Sequence, residues 1–177
     1  MIYLFIAPGF EEIEALATLD VLRRAELEVQ SVGVGGKTIT GAHGITVACD
    51  IAESEAVTDG LEMVVLPGGM PGTLNLEKSQ TVQRFIDWAV EHGLWLAAIC
   101  AAPSILGHKG LLEGKRVTCF PGYETQLGGA VHSGNRVERD GRLITGKGAG
   151  AAVLFGLKLV ECLLGKERAD LLEASLQ

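Results

Sequence analysis

The chain has 177 residues, 47% hydrophobic and 21% charged, a balance near the globular average that argues against disorder and suffices for one compact core. Its net charge of −7, with no basic stretch anywhere, argues against nucleic acid or an anionic membrane surface as partner. No segment reaches the ~18 uninterrupted apolar residues of a membrane helix.

Residues 2–7 open the chain as a buried strand. They lack a positive flank and run straight into Pro8-Gly9 and three glutamates, so they do not read as a signal peptide. From Glu11 to Arg24 the apolar positions Ile13, Leu16, Ala17, Leu19, Val21 and Leu22 fall on one helical face, and Glu26 to Val34 returns as a strand. Lys37–Ile39 and Ile45–Ala48, parted by Gly41 and Gly44, form a short hairpin. Leu61–Leu66 is a continuous apolar strand ended by Pro67-Gly68-Gly69, and Ser79 caps a helix running to about Glu91. The strand at 94–99 leads into Cys100, with a short helix to about Leu106. Arg116–Cys119 is a strand, and Arg136–Arg139 and Leu143–Thr145 make a hairpin whose Asp140-Gly141 carries a type I′ signal. Gly150–Leu164 is a strongly apolar helix, and Lys166–Leu176 continues as another.

Strands that are apolar throughout, rather than alternating, imply burial on both faces and hence a mostly parallel sheet between helix layers. The expected fold is an α/β three-layer sandwich formed by residues 1–177 as one domain. In such sheets, sites form at the carboxyl ends of the strands. Three of those ends carry unusual residues: Pro8-Gly9-Phe10-Glu11-Glu12-Ile13-Glu14, Pro67-Gly68-Gly69 and Ile99-Cys100-Ala101. All three are expected on one rim.

Cys100 ends an apolar run and is followed by Ala101-Ala102-Pro103, the pattern of a sharp strand-to-helix turn. The partial positive charge of a helix start favours thiolate over thiol, which makes Cys100 a nucleophile candidate. The amides of Gly68 and Gly69, with that of Ala101, could form an oxyanion hole at the same point. The plainer reading is a small buried hydrophobe. Glu11 and Glu12 are explained by the helix dipole alone. Glu14, one turn in among apolar neighbours, is expected to be buried, protonated and able to serve as general acid or base.

No histidine has a local signal placing it beside Cys100. His92 and His108 read as solvated, His132 lies in a Gly-rich connection, and His43 on the hairpin rim is the better outsider. The Gly-rich segments at 68–72 and 146–150 match no nucleotide-binding pattern. Cys49, Cys100, Cys119 and Cys162 show no CxxC pair or regular spacing, so neither a zinc knuckle nor a disulfide framework is indicated. Reduced thiols in the cytoplasm are the simplest expectation, with Cys119 and Cys162 structural and Cys49 at a strand end.

Taken together, Gly9-Phe10-Glu11-Glu12-Ile13-Glu14, Asp20-Val21-Leu22-Arg23-Arg24-Ala25, Val64-Val65-Leu66-Pro67-Gly68-Gly69, Ala98-Ile99-Cys100-Ala101-Ala102-Pro103 and Asn135-Arg136-Val137-Glu138-Arg139-Asp140-Gly141 resemble the DJ-1/PfpI (ThiJ) superfamily, in its DJ-1/YajL-like branch. The resemblance covers essentially the whole chain. It implies a flavodoxin-like sandwich, a homodimer and a nucleophile-elbow cysteine at Cys100. The protonated glutamate falls on Glu14, the backbone donors on Gly69 and Ala101, and no cofactor or metal is implied. The family cysteine oxidises readily to a sulfinate. Relatives are credited with glyoxalase-type and deglycase chemistry on small carbonyl compounds or glycated groups. Redox sensing or chaperoning without turnover is the alternative, and a binding module that has lost its chemistry is a third. One departure matters: Phe120 stands where many relatives carry a histidine, which speaks against a Cys–His peptidase. His43 falls roughly where relatives carry an arginine.

Overall fold

The computed structural model describes residues 1–176. The chain runs β1 (Ile2–Ile6), α1 (Glu12–Arg24), β2 (Val29–Gly33), the hairpin β3 (Thr38–Thr40) and β4 (Thr46–Ala48), β5 (Ile51–Ala52) and β6 (Met63–Leu66). Then follow α2 (Gly72–Lys78), α3 (Gln80–Glu91), β7 (Trp95–Ile99), α4 (Pro103–His108), β8 (Arg116–Val117), β9 (Val131–His132), β10 (Val137–Asp140), β11 (Leu143–Gly146), α5 (Ala152–Leu164) and α6 (Lys166–Ser175). Seven strands form one sheet in the order β10-β11-β7-β6-β1-β2-β5, and only the β10–β11 pair is antiparallel.

The apolar runs explain this arrangement. Alternate residues of β1 feed two cores: Ile2, Leu4 and Ile6 pack with α1 and α5 through Leu22, Phe155 and Val160. Tyr3 and Phe5 face the other way, onto Phe85 and Ile86 of α3. A sheet so covered on both sides is the open α/β three-layer sandwich expected from the strand composition. Ser79 caps α3 as anticipated, its hydroxyl accepting from the amide of Val82 at 3.2 Å.

Three local expectations are corrected, and elements without a sequence signal are added. The strand expected at Arg116–Cys119 is only Arg116–Val117, and it pairs with β9 outside the main sheet. The Asp140-Gly141 turn has Gly141 as its first central residue (φ +60), and Arg142 does not share the left-handed region. That is the type II′ pattern rather than I′. The apolar helix expected from Gly150 begins at Ala152, after a 3₁₀ turn over Ala149–Ala151. Finally, α2 and the two-residue β5 have no strong periodic signal and were not anticipated.

Because β1, β6 and β7 are parallel neighbours, their carboxyl ends share one rim. That brings the glutamate stretch, Gly68-Gly69 and Cys100 together.

Candidate active site

Cys100 is one of two described non-glycine residues with positive φ, at +67°. Such a conformation costs about 1–3 kcal/mol and persists only where its surroundings fix it. Here they do: the Cys100 amide donates to Gly146 O at the end of β11 (2.9 Å), and its carbonyl accepts from Phe120 N (2.8 Å). The elbow turns into α4 with Pro103 in the first turn, and Cys100 keeps partial exposure while Ala101 and Ala102 are buried.

Glu14 is held under this elbow, 1% exposed. Its Oε2 accepts from the amide of Gly68 at 2.8 Å. Oε1 is sealed with no hydrogen-bond partner of ordinary geometry, and the Cys100 thiol is the side chain coupled to the carboxyl. Burial raises the carboxyl to about 7, against smaller downward pulls from the Cys100 thiol and the Gly68 amide. The carboxyl thus lies beneath the elbow with its proton affinity raised.

Gly68 and Gly69 have distinct duties. A Cβ at Gly68 would sit 2.7 Å from Cys100 Cβ and 2.8 Å from Glu14 Oε2, so only glycine lets acid and thiol meet. Its amide goes to Glu14, not to an oxyanion position as anticipated. Gly69 is left-handed (φ +92) and packs on the Phe10–Glu11 backbone. The amides of Ala101 and Gly69 both donate toward the Cys100 sulfur.

The expectation of a standing thiolate is corrected. Burial pushes the Cys100 thiol up first, then the charge of Glu14 and its hydrogen bond, against the pull of the two amides. While Glu14 is ionised, the sulfur keeps its proton. Once the carboxyl is protonated its repulsion of a thiolate vanishes and its hydrogen bond reverses in effect, because a neutral acid donates to a thiolate. The pair titrates as a unit.

The neighbouring carboxylates also differ from the dipole-only reading. Glu11 is the N-cap of α1, accepting from the Glu14 amide at 2.7 Å. Glu12 pins the β3–β4 loop, accepting from His43 N (2.7 Å) and Ile45 N (3.4 Å) and pairing with His43 Nδ1 (2.8 Å). That contact accounts for His43, which is a partner of Glu12 and not of Cys100. The other histidines are engaged elsewhere: His92 stacks on Trp88, His108 pairs with Glu77, and His132 lies beside Glu124. On the same rim, a cleft of about 390 Å³ is lined by Phe120, Pro121, Arg136, Lys147 and the 148–151 turn. A larger cavity of about 450 Å³ lies at the opposite, amino end of the sheet, against Leu94, Arg142 and Leu143.

The geometry defines a class: a parallel α/β sheet with a cysteine on a strained elbow and a buried, protonatable carboxyl beneath it. The chain belongs to the DJ-1/PfpI family, whose profile matches residues 1–162, and within it to the DJ-1 branch. It is 36% identical over 168 residues to Drosophila melanogaster "Protein dj-1beta", covering 93% of this chain and 90% of that one. It is 33% identical over 162 residues to the Caenorhabditis elegans "Glutathione-independent glyoxalase DJR-1.2", covering 90% and 86%. The solved structure of oxidized Toxoplasma gondii DJ-1 superposes with a TM-score of 0.95 at 30% identity, covering 99% of this chain and 96% of that one. The chain spans about two fifths of the length of two Arabidopsis thaliana relatives, DJ-1 homologs A and B, each 36% identical to it. No helix among the described residues is long and apolar enough to cross a membrane.

Proposed function

We propose that this protein is a cysteine-dependent enzyme that converts small 2-oxoaldehydes to 2-hydroxy acids, a glyoxalase-type reaction with Cys100 as nucleophile and Glu14 as acid–base. The observation that carries this reading is the buried Glu14 carboxyl, raised to about 7 and coupled to the Cys100 thiol. A base of that strength is matched to proton transfer at neutral pH.

Glu14 takes the thiol proton as the sulfur attacks the aldehyde carbon, then returns it to the new oxygen to give a hemithioacetal. The amides of Gly69 and Ala101, aimed at the sulfur, steady that oxygen while it is negative. The ionised carboxyl removes the proton from the former aldehyde carbon and delivers it to the adjacent carbon through an enediol. The resulting thioester is hydrolysed by water, which releases the 2-hydroxy acid and restores the thiol. Deglycation would use the same addition on an early carbonyl adduct. The reaction needs no cofactor, and the family resemblance extends the reading to a homodimer working in the cytoplasm.

With metal-free protein, Cys100→Ser is expected to abolish methylglyoxal consumption; activity retained in that variant removes the hypothesis. A second reading, redox sensing, is favoured by the amides directed at a partly exposed sulfur, which suit a sulfinate's oxygens. Two equivalents of peroxide would oxidise the sulfur and release two waters. Intact-mass analysis after mild peroxide should place a two-oxygen increment on Cys100. Oxidation spread over all four thiols would exclude this role.

A further inference from the structure

We propose that Cys119, Glu124 and His132 bind a zinc ion that clips the segment between β8 and β9 together beside the cysteine elbow. Cys119 Sγ, a Glu124 carboxylate oxygen and a His132 ring nitrogen lie within 4.8 Å of one another. Thiolate, imidazole and carboxylate are zinc's own donor set, and three protein ligands leave a fourth position for water.

The three groups come from places 5 and 8 residues apart in sequence, brought together by the fold. Val117 pairs with His132 in the small parallel sheet, which sets His132 next to the strand's exit at Cys119. Glu124 opens the 3₁₀ turn Glu124–Gln126, and its carboxylate is steered by amides, that of Gly122 donating to Oε2 at 2.8 Å. The sulfur is buried, while Glu124 and His132 are exposed and their side chains can adjust. Zinc bonds of about 2.0–2.3 Å place tetrahedral ligand atoms roughly 3–4 Å apart, so closure asks a shift of about 1 Å from those exposed side chains.

The charges around the sulfur are mixed, with Glu124 acidic and Lys147 basic. Lys147 supplies a single positive charge nearby and is the group a zinc ion would compete with.

A second trio, Glu11, Glu12 and His43, is equally compact but already committed. Glu11 caps the Glu14 amide, and Glu12 accepts from two amides and pairs with the His43 ring. It also lacks a thiolate. The Cys119 site touches the elbow through the backbone, since the next residue, Phe120, donates to the Cys100 carbonyl.

The test is zinc titration of reduced, chelator-stripped full-length protein in competition with a chromophoric chelator, with cobalt(II) as spectroscopic probe. One equivalent should bind, and cobalt should show a thiolate charge-transfer band. Cys119→Ser should remove the band and weaken zinc by at least about 100-fold; His132→Ala and Glu124→Gln should each weaken it at least about tenfold. The last two alter exposed residues, so they report binding even if the buried Cys119→Ser change unfolds the chain. His43→Ala and Cys100→Ser should leave affinity and band unchanged. Absence of one-to-one binding, a cobalt band that survives Cys119→Ser, or zinc lost in His43→Ala or Cys100→Ser would each overturn the assignment.

Discussion

Glu12 and Glu14 stand two residues apart on the first turn of α1, 4% and 1% exposed, and their carboxyls are pushed in opposite directions. Burial raises both. At Glu12 it is outweighed by the His43 side chain and by the backbone amides of His43, Glu12 and Ile45, so the group is held below its ordinary value. At Glu14 the opposing donors are few, and burial wins, at about 7. Depth and donor supply together separate the two carboxylates, since Glu14 is the more deeply desolvated and has the fewer donors. Glu12 latches a hairpin by staying charged; Glu14 is suited to catalysis because it is poorly solvated and gains and loses a proton near neutrality.

The sharpest way to break this contrast is to remove the proton exchange at Glu14 alone. Glu14→Gln should lower 2-oxoaldehyde turnover by about 10²–10⁴-fold, the usual contribution of a positioned acid–base. Glu12→Gln should leave turnover of the folded protein within a few-fold, measured at a temperature where both variants are folded.

Stability against pH separates the two next. A carboxyl whose folded value is raised from 4.5 to about 7 binds more protons in the folded state, so stability is lost as pH climbs through that window. The loss amounts to about 3 kcal/mol, and denaturant melts of Glu14→Gln should lack it. Glu12 has the opposite sign. Its contribution is present above the ordinary carboxylate range and is lost as pH falls through its depressed folded value. Replacing Glu12 by Gln should cost about 2 kcal/mol at neutral pH, the scale of charge-assisted hydrogen bonds to a buried group.

The smallest effect is at His43, which is well exposed. Its hydrogen bond to Glu12 raises the ring above its ordinary value, and Glu12's charge adds to the shift. Proton NMR should find the His43 titration displaced upward in the native protein and returned to normal in Glu12→Gln. An unshifted ring in the native protein would show that the latch is open in solution.

Much of this was legible in the chain. Continuous apolar strands announced the parallel sheet, and the rim put Cys100, Glu14, Gly69 and Ala101 together because parallel neighbours share a carboxyl end. What escaped was set by contacts distant in sequence. Glu12 looked like a dipole residue because its partners, His43 and Ile45, lie 31 and 33 residues away. Gly68 looked like an oxyanion donor because nothing in the sequence shows its amide turned to Glu14. The sulfur looked ionised because a helix start was visible, whereas the burial that opposes it was not. The Cys119 cluster was invisible to a search for short metal spacings, since β8–β9 pairing assembles it.

The most direct test is a carboxyl-selective titration of Glu14, by isotope-edited infrared or carbon NMR, in native protein and in Cys100→Ala. The native group should titrate near 7, and higher still in the variant, where the thiol's hydrogen bond to the carboxylate is gone. A midpoint between 4 and 5 in both proteins would contradict the account.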